Sequence, residues 1–245
     1  MGYSGELNGG NSLPRCLIAE ALGTYVFAYV FLNSMIGNIW APAPAIALIS
    51  VVTVVNWVGF PLSGAHLNPS VTIAYMLKNK IEVTKGGFYL LVQLGATFAA
   101  AFTLYLNSPA TYTGNRIDWW DIVMPRVMVF GNDKQFMAFI LEFIATFVYI
   151  LIYFAANVGK GGHNVVSGFV ISLGFVFCHS MISGYTRGTL NSYFYIAPRL
   201  INFKLADILW YILGPCLGAV AGAFAYEPLL GDSVSEDETP LTDLN

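Results

Sequence analysis

The sequence has few charged residues: Asp, Glu, Lys and Arg make up 10% of its 245 residues, against about 25% in soluble globular domains. At the same time, 56% of the residues are hydrophobic. A soluble fold of this size has too little interior to cover so much apolar surface. The composition therefore excludes an ordinary soluble domain and indicates a protein that presents apolar surface to lipid.

Cysteine is also scarce. The three cysteines, Cys16, Cys178 and Cys216, all fall in apolar stretches, where they form neither a disulfide framework nor a metal-binding set. We interpret them as small apolar packing residues. The sequence also lacks a nucleophile–base pair and a phosphate-binding loop. We therefore expect no enzyme activity, no metal, no cofactor and no nucleic-acid partner.

Six apolar runs are long enough to cross the hydrocarbon core of a bilayer, which takes about 20 residues in a helix. A β-barrel would need shorter segments that alternate apolar and polar residues, and these runs do not alternate. We therefore predict an all-α membrane protein with spans near Leu13–Asn33, Pro44–Phe60, Gly86–Leu106, Phe136–Ala156, Val165–Gly184 and Ala206–Tyr226.

The two halves of the chain resemble each other. Glu20 and Glu142 each begin a Glu-x-x-x-Thr pattern inside an apolar run, and Asn68 and Asn191 are separated by nearly the same interval. Each half has three spans, and an odd number makes the second half enter the membrane from the opposite side. We predict an inverted repeat with copies at about residues 13–107 and 135–228, which places the functional site between the halves.

The carboxyl groups of Glu20 and Glu142 need protein partners, because a lone carboxylate in lipid is costly. We predict that both accept hydrogen bonds from backbone N–H groups and so anchor re-entrant loops. A proton-relay role is the alternative.

A pore motif lies between the second and third spans, in the segment Ser-Gly-Ala-His-Leu-Asn-Pro-Ser-Val-Thr that ends at Thr72. Asn68 can cap a helix, and Pro69 in its first turn needs no N–H partner. The apolar residues that follow predict a short half-helix, which membrane depth allows only beside a cavity or inside protein. With Ser70 where Ala is usual, this segment resembles the first signature loop of the aquaporin (major intrinsic protein) family. The resemblance extends from Glu20 to Tyr226.

The resemblance implies six tilted helices and two re-entrant half-helices that meet at the pore centre, where asparagine side chains donate hydrogen bonds to permeating molecules. The positive ends of both half-helices disfavour cations, an effect for which aquaporins are the standard example. It also implies a homotetramer with both termini in the cytoplasm. We expect one channel domain over residues 1–230 and an acidic cytoplasmic tail over residues 231–245, in a plasma or internal organelle membrane.

The second pore motif departs from the family pattern. Where the family has Asn-Pro-Ala-Arg, this chain has Asn191, Ser192, Tyr193 and Phe194. Ser192 can still begin a helix. Because Phe194 replaces the selectivity arginine with a bulky apolar ring, we expect a more apolar filter that this ring can occlude. Because Tyr193 replaces a small alanine between the half-helices, we expect a rearranged central contact.

The resemblance places the other filter positions at His179, Gly188 and Leu48. Water-selective members carry His at the position of His179, and glycerol facilitators carry Asp where this chain has Tyr195. Both features favour water over glycerol.

Three further side chains leave alternatives open. Arg187 and Arg199 flank the second motif, and either could bring a guanidinium toward the extracellular mouth; the simpler interpretation is a solvent-facing loop arginine for each. His163 lies between the fourth and fifth spans, where we expect an exposed loop residue rather than a pH sensor.

Two functions fit these observations. The first is a passive channel for water or other small neutral solutes. The second, favoured by Tyr193 and Phe194, is a closed, gated or non-conducting homologue with a structural or adhesion role. An enzyme or an ion-coupled transporter has little support in the sequence.

Overall fold

A computed structural model describes residues 11–36, 43–107, 134–159, 163–164 and 166–231. The acidic tail beyond residue 231 and the first ten residues lie outside the described residues. Every regular element in the described ranges is a helix. In chain order the helices are α1 (Leu13–Ile36), α2 (Ala43–Ser63), α3 (Pro69–Leu77), α4 (Val83–Asn107), α5 (Lys134–Asn157), α6 (Ser167–Thr186), α7 (Ser192–Ile201) and α8 (Ile208–Leu230).

Six of these helices, α1, α2, α4, α5, α6 and α8, are long and apolar enough to cross a membrane, which confirms the predicted spans. Their ends differ from prediction by a few residues. The clearest difference is in α2, which continues past the predicted end at Phe60 and through Pro61 to Ser63. Prolines are tolerated in membrane helices because neighbouring groups satisfy the backbone that they leave unpaired.

The short helices α3 and α7 are the two half-helices, and each begins at an asparagine. The Asn68 side chain accepts a hydrogen bond from the Ser70 N–H at 2.9 Å, and the Asn191 side chain accepts one from the Tyr193 N–H at 3.0 Å. Both asparagines have extended backbone, as N-cap residues do. The absent proline in the second motif therefore does not prevent the helix from starting.

The helices pack in pairs that the repeat relates. Helix α1 packs on α4 in the first half, and α5 packs on α8 in the second half. Each half-helix also contacts the last span of the other half: α3 contacts α8, and α7 contacts α4. The α5–α8 contact is close: a Cβ atom at Gly218 would lie 2.5 Å from the Phe143 carbonyl oxygen. The two halves are thus interlocked rather than side by side.

The outward faces of the spans carry large apolar side chains. Leu22, Val54, Leu91 and Phe224 are all more than half exposed. A soluble surface seldom carries so many such residues together, whereas a bilayer accommodates them. The fold is therefore that of a multi-pass α-helical membrane protein.

Candidate functional site

The loop before α3 is held by Glu20, which is fully buried in α1. Its carboxylate accepts hydrogen bonds from the backbone N–H groups of His66 at 2.9 Å and Leu67 at 2.8 Å. It also accepts from the Ser63 hydroxyl at 2.7 Å and the Gln93 side-chain amide at 2.8 Å. Every contact is a donor, which a carboxylate needs when it is buried.

The loop before α7 is held in the same way by Glu142, also fully buried. One carboxylate oxygen accepts from the Thr186 hydroxyl at 2.7 Å and the Thr189 N–H at 3.0 Å. The other accepts from the Leu190 N–H at 2.9 Å and the Thr189 hydroxyl at 3.1 Å. Each oxygen therefore takes one hydroxyl and one backbone N–H.

Both loops adopt the same strained backbone. Ala65 and Leu67 in the first loop, and Leu190 in the second, have φ between 47° and 54°, and Gly188 has φ of 57°. This left-handed conformation costs about 1–2 kcal/mol for a residue with a Cβ. It turns neighbouring N–H groups toward one side, where the buried glutamates bind them, so the anchors offset the strain.

The two half-helices meet at their asparagines. The Asn68 amide nitrogen donates to the Leu190 carbonyl at 3.1 Å, and the Asn191 amide nitrogen donates to the Leu67 carbonyl at 3.5 Å. A side-chain amide has two N–H donors, so each asparagine keeps one for another partner. The Ser70 hydroxyl adds a contact to the Leu190 carbonyl at 3.5 Å. The arrangement leaves one N–H donor on each asparagine at the place where the half-helices meet.

The half-helices are in contact beside Tyr193, the position at which we expect a rearranged central contact. The Tyr193 side chain is half-buried, and both asparagine cross-contacts are present beside it. Ser192, which replaces the family proline, is buried as the first residue of α7.

The predicted filter residues His179 and Gly188 contact each other. The His179 Nδ1 atom donates to the Gly188 carbonyl at 2.9 Å, so the neutral ring keeps its Nε2 lone pair as an acceptor. A Cβ at Gly188 would lie 2.5 Å from the His179 carbonyl oxygen. Only glycine fits this approach, and its positive φ suits glycine as well.

Phe194 lies in an aromatic cluster and is fully buried. Its ring stacks on Phe31 with centroids 4.6 Å apart and meets Phe27 edge-on at 5.0 Å. Phe31 in turn contacts the His179 ring at 5.5 Å. Leu48, the fourth predicted filter residue, is also buried in the apolar core.

The ring contacts continue through the middle of the molecule. Phe27 meets Phe175 at 5.0 Å, Phe175 meets Tyr149 at 5.6 Å, and Tyr149 meets Tyr153 at 6.0 Å. Tyr153 then meets Tyr75 at 6.0 Å, and Tyr75 meets His66 at 4.4 Å. We call this set the aromatic column: Phe31, Phe194, Phe27, Phe175, Tyr149, Tyr153, Tyr75 and His66. All eight side chains are buried.

Sequence reasoning missed the aromatic column, although the repeat carries a signal for it. Phe27 and Phe31 follow Glu20 at the same positions at which Tyr149 and Tyr153 follow Glu142. In a helix such positions lie one above the other on the same face as the glutamate. The duplicated glutamate therefore marks the inward face of its helix, and the aromatic residues on that face could have been predicted from the sequence.

Arg199 is buried, so the simpler interpretation of a solvent-facing loop arginine is wrong for it. Its guanidinium lies 5.6 Å from the Tyr195 ring centroid, a distance typical of a cation–π contact. Tyr195 itself stacks on Tyr211 with centroids 3.7 Å apart. Arg187 ends α6 in a left-handed conformation and is partly exposed.

His163 is half-buried rather than an exposed loop residue. Its ring stacks on Phe60 with centroids 3.5 Å apart, and its Nδ1 atom lies 2.8 Å from the Asn157 side-chain oxygen. Burial lowers the pKa of His163 below the usual 6.5. The contact joins the ends of α2 and α5.

The described residues contain no group of three or more His, Cys, Asp or Glu side chains that could hold a metal ion. Apart from the two anchoring carboxylates, the polar groups of the site are amides, hydroxyls, the imidazoles of His66 and His179, and backbone carbonyls. Such groups bind neutral molecules that exchange hydrogen bonds.

Comparison with known proteins gives the family of the chain. A model of the major intrinsic protein family matches residues 10–226. Nodulin-26 of Glycine max is 29% identical over 218 residues, which cover 86% of this chain and 76% of that protein. Aquaporin-2 of Homo sapiens is 28% identical over 231 residues, which cover 89% and 80%.

The fold is also found among solved structures. The X-ray structure of the aquaglyceroporin from Plasmodium falciparum matches with a TM-score of 0.75 at 20% identity, over 89% of this chain and 97% of that one. This likeness supports the architecture of six spans and two half-helices. Members of the major intrinsic protein family, the aquaporins and their relatives, are membrane channels and not enzymes. Because the family model matches most of its length, the chain belongs to this family.

Proposed function

We propose that the chain is a passive channel for water and for other small neutral solutes, with a selectivity filter that lacks the family arginine. The observation that carries the proposal is the meeting of the two half-helices at Asn68 and Asn191, where each amide keeps one N–H donor. A molecule at this point can accept both bonds. The positive ends of α3 and α7 disfavour a cation at the same place.

The buried acids support passive rather than ion-coupled transport. Glu20 and Glu142 accept hydrogen bonds from their loops and from neighbouring helices, and among the described residues no contact joins either carboxyl group to another acceptor. We therefore propose that both are structural anchors and not relay groups. The proton-relay alternative would need a carboxyl group that faces the passage.

Water is the preferred solute of the proposal. His179 presents an imidazole acceptor beside Gly188, and Tyr195 occupies the position where glycerol facilitators have Asp. The Tyr195 hydroxyl donates to the Ala206 carbonyl at 2.7 Å and so is not directed at a solute. The filter would therefore offer few groups to a polyol.

The surroundings of the channel belong to the proposal as well. The apolar outward faces of the spans suit a lipid bilayer. By likeness to the family we propose a homotetramer in a plasma or internal organelle membrane, with both termini in the cytoplasm.

A second candidate is a closed, gated or non-conducting homologue with a structural or adhesion role. The observation that favours it is the burial of the aromatic column: Phe31, Phe175, Phe194 and Tyr153 have no exposed surface. A side chain that lines a passage wide enough for water keeps some contact with solvent. The described conformation thus fits a channel that is closed along the column.

Osmotic swelling of proteoliposomes separates the two candidates. Wild-type protein is compared with Phe194→Ala, which removes the stacked ring, and with Phe194→Arg, which restores the family residue. The matched control is Phe203→Ala, the same change in a side chain that is 91% exposed and outside the column. Each variant is checked for monodispersity before reconstitution.

The channel proposal predicts faster swelling than in empty vesicles, increased further by Phe194→Ala and unchanged by Phe203→Ala. Swelling restored only in Phe194→Arg would identify the missing arginine as the defect. Swelling no faster than in empty vesicles for every variant would support the structural role instead.

A further inference from the structure

Two fully buried tyrosines, Tyr89 in α4 and Tyr211 in α8, occupy equivalent positions in the repeat. They are separated by the interval that separates the two anchoring glutamates. The Tyr89 hydroxyl donates to the Ser63 carbonyl at 2.8 Å, and the Tyr211 hydroxyl donates to the Thr186 carbonyl at 2.7 Å. Ser63 and Thr186 are the last residues of α2 and α6. Each phenol therefore binds the helix end from which a pore loop begins.

These two helix ends need a donor from outside the helix. A carbonyl in an α-helix normally accepts from the N–H four residues further along the chain. For Thr186 that N–H belongs to Leu190, which donates to Glu142 instead. The first loop has the same arrangement at Ser63, because the N–H of Leu67 is bound by the anchoring glutamate of that loop. A buried carbonyl without a donor is costly, so the phenols complete the loops that the glutamates hold.

The two halves differ in what packs against this phenol. The Tyr211 ring stacks on Tyr195 of α7, with centroids 3.7 Å apart and planes 9° apart, and the Arg199 guanidinium lies 5.6 Å from the Tyr195 centroid. The residue equivalent to Tyr195 in the first half is Thr72, which accepts a hydrogen bond from Gln93. The second half thus has a stack where the first half has a hydrogen-bonded threonine. We call Tyr211, Tyr195 and Arg199 the brace.

The brace holds the second pore loop at both ends. Tyr211 binds the carbonyl of Thr186, where the loop begins, and it stacks on Tyr195 near the start of the half-helix that follows the loop. Between these contacts lies Gly188 of the predicted filter. Its N–H donates to the Thr186 hydroxyl at 3.1 Å, and its carbonyl accepts from His179 at 2.9 Å. A displacement at either end of the loop would therefore move the Gly188 backbone.

We propose that the brace fixes Gly188 against His179 and so determines which neutral solutes the filter admits. Its three side chains are positioning residues, because they act on the solute through the filter loop. The brace stands in for the backbone restraint that the family proline would give at Ser192. This inference rests on the proposed channel function, because it concerns a solute that passes through the fold.

The direction of the effect follows from the close contact at Gly188. A Cβ atom there would lie 2.5 Å from the His179 carbonyl oxygen, so the loop already lies as near to α6 as glycine allows. A loop released at Thr186 then moves away from α6, and the His179 ring loses the carbonyl that fixes its direction. The filter becomes wider, which favours a larger neutral solute such as urea relative to water.

The first test removes one hydroxyl group. Tyr211→Phe keeps the ring stack and removes the donor to Thr186. Tyr89→Phe is the matched control, because it removes the equivalent hydroxyl from the first loop, in which no filter residue is predicted. Both changes are made in the Phe194→Ala background, and water and urea permeabilities of proteoliposomes are measured by stopped-flow light scattering. We expect the ratio of urea to water permeability to rise severalfold in Tyr211→Phe and to stay unchanged in Tyr89→Phe.

The possible results separate the brace from the channel. A purely structural role for both phenols would change the two variants alike, so an equal permeability ratio in Tyr211→Phe and Tyr89→Phe would overturn the brace and leave the channel proposal standing. Permeability no higher than in empty vesicles for every variant would overturn the channel proposal and, with it, the role of the brace in selectivity.

A second measurement tests the positioning without any need for conduction. Hydrogen exchange of residues 186–191 is followed by mass spectrometry in nanodiscs, where it reports local opening. Tyr211→Phe should exchange about 2- to 10-fold faster in this segment, the range that the loss of one net hydrogen bond gives. Tyr185→Phe, the same change in a neighbouring side chain that is 54% exposed, should not differ from wild type. Unchanged exchange in Tyr211→Phe would overturn the brace.

Discussion

The substitution Glu142→Gln tests whether the buried glutamates hold the pore loops. Gln has nearly the shape of Glu but replaces one carboxylate oxygen with an NH2 group. In the structure each oxygen of Glu142 accepts one hydroxyl and one backbone N–H, from Thr186 and Thr189 on one side and from Thr189 and Leu190 on the other. Whichever way the amide turns, its NH2 group faces one hydroxyl and one backbone N–H.

The expected magnitude follows from these contacts. The hydroxyl can rotate and accept from the new NH2 group, but the backbone N–H of Thr189 or Leu190 cannot, so one buried donor loses its partner. That loss costs about 1–3 kcal/mol, and the remaining bonds weaken because they no longer involve a charged acceptor. We expect a total destabilisation of about 2–4 kcal/mol, which is on the order of 5–15 °C in Tm for a chain of this size.

The assay is thermal unfolding in detergent micelles or nanodiscs, followed by intrinsic fluorescence. Glu227→Gln is the matched control, because the Glu227 side chain is 62% exposed and makes one ion pair with Lys78 at 2.7 Å. Such an exposed pair contributes about 0–1 kcal/mol. A Glu142→Gln protein that unfolds at the same temperature as the Glu227→Gln protein would refute the anchoring role.

Two further changes test the packing and the loop beyond α5. Gly218→Val places a side chain against the Phe143 carbonyl, so α5 and α8 must separate. We expect the free energy of unfolding to fall by about 1–3 kcal/mol, measured by thermal unfolding. Gly95→Ala is the control, and we expect it not to lower the stability, because its Cβ would meet nothing within 4 Å. His163 should titrate by NMR below 6.5, because its pKa is lowered by burial against Phe60. The unfolded loop then binds the proton first, so this contact is stable above pH 6.5 and weakens as the pH falls below it; a midpoint at or above 6.5 would contradict the buried stack.

The architecture could be predicted from the sequence because its signals are local. Runs of apolar residues give the six spans, and Asn68 followed by Pro69 gives the first half-helix. The second half-helix has no proline in its first turn, where Ser192 stands, but the repeat that joins Glu20 to Glu142 and Asn68 to Asn191 locates it. Each of these signals depends on a few adjacent residues or on one interval along the chain.

The site was harder to predict because its contacts join distant residues. The direction of the Phe194 ring depends on Phe27 and Phe31 in another span, and no pattern near Phe194 specifies them. Arg199 is buried with its guanidinium 5.6 Å from the Tyr195 ring, although its position near a loop suggested exposure. Tyr153 binds the first pore loop from the second half of the chain, a pairing that only the folded molecule makes visible.

A density map of the protein in lipid nanodiscs, at a resolution that separates side chains, tests the central claim most directly. We expect the Asn68 amide to lie about 3.1 Å from the Leu190 carbonyl and the Phe194 ring to stack on Phe31. A map in which Asn68 and Asn191 lie far apart or face lipid would contradict a channel built on two half-helices.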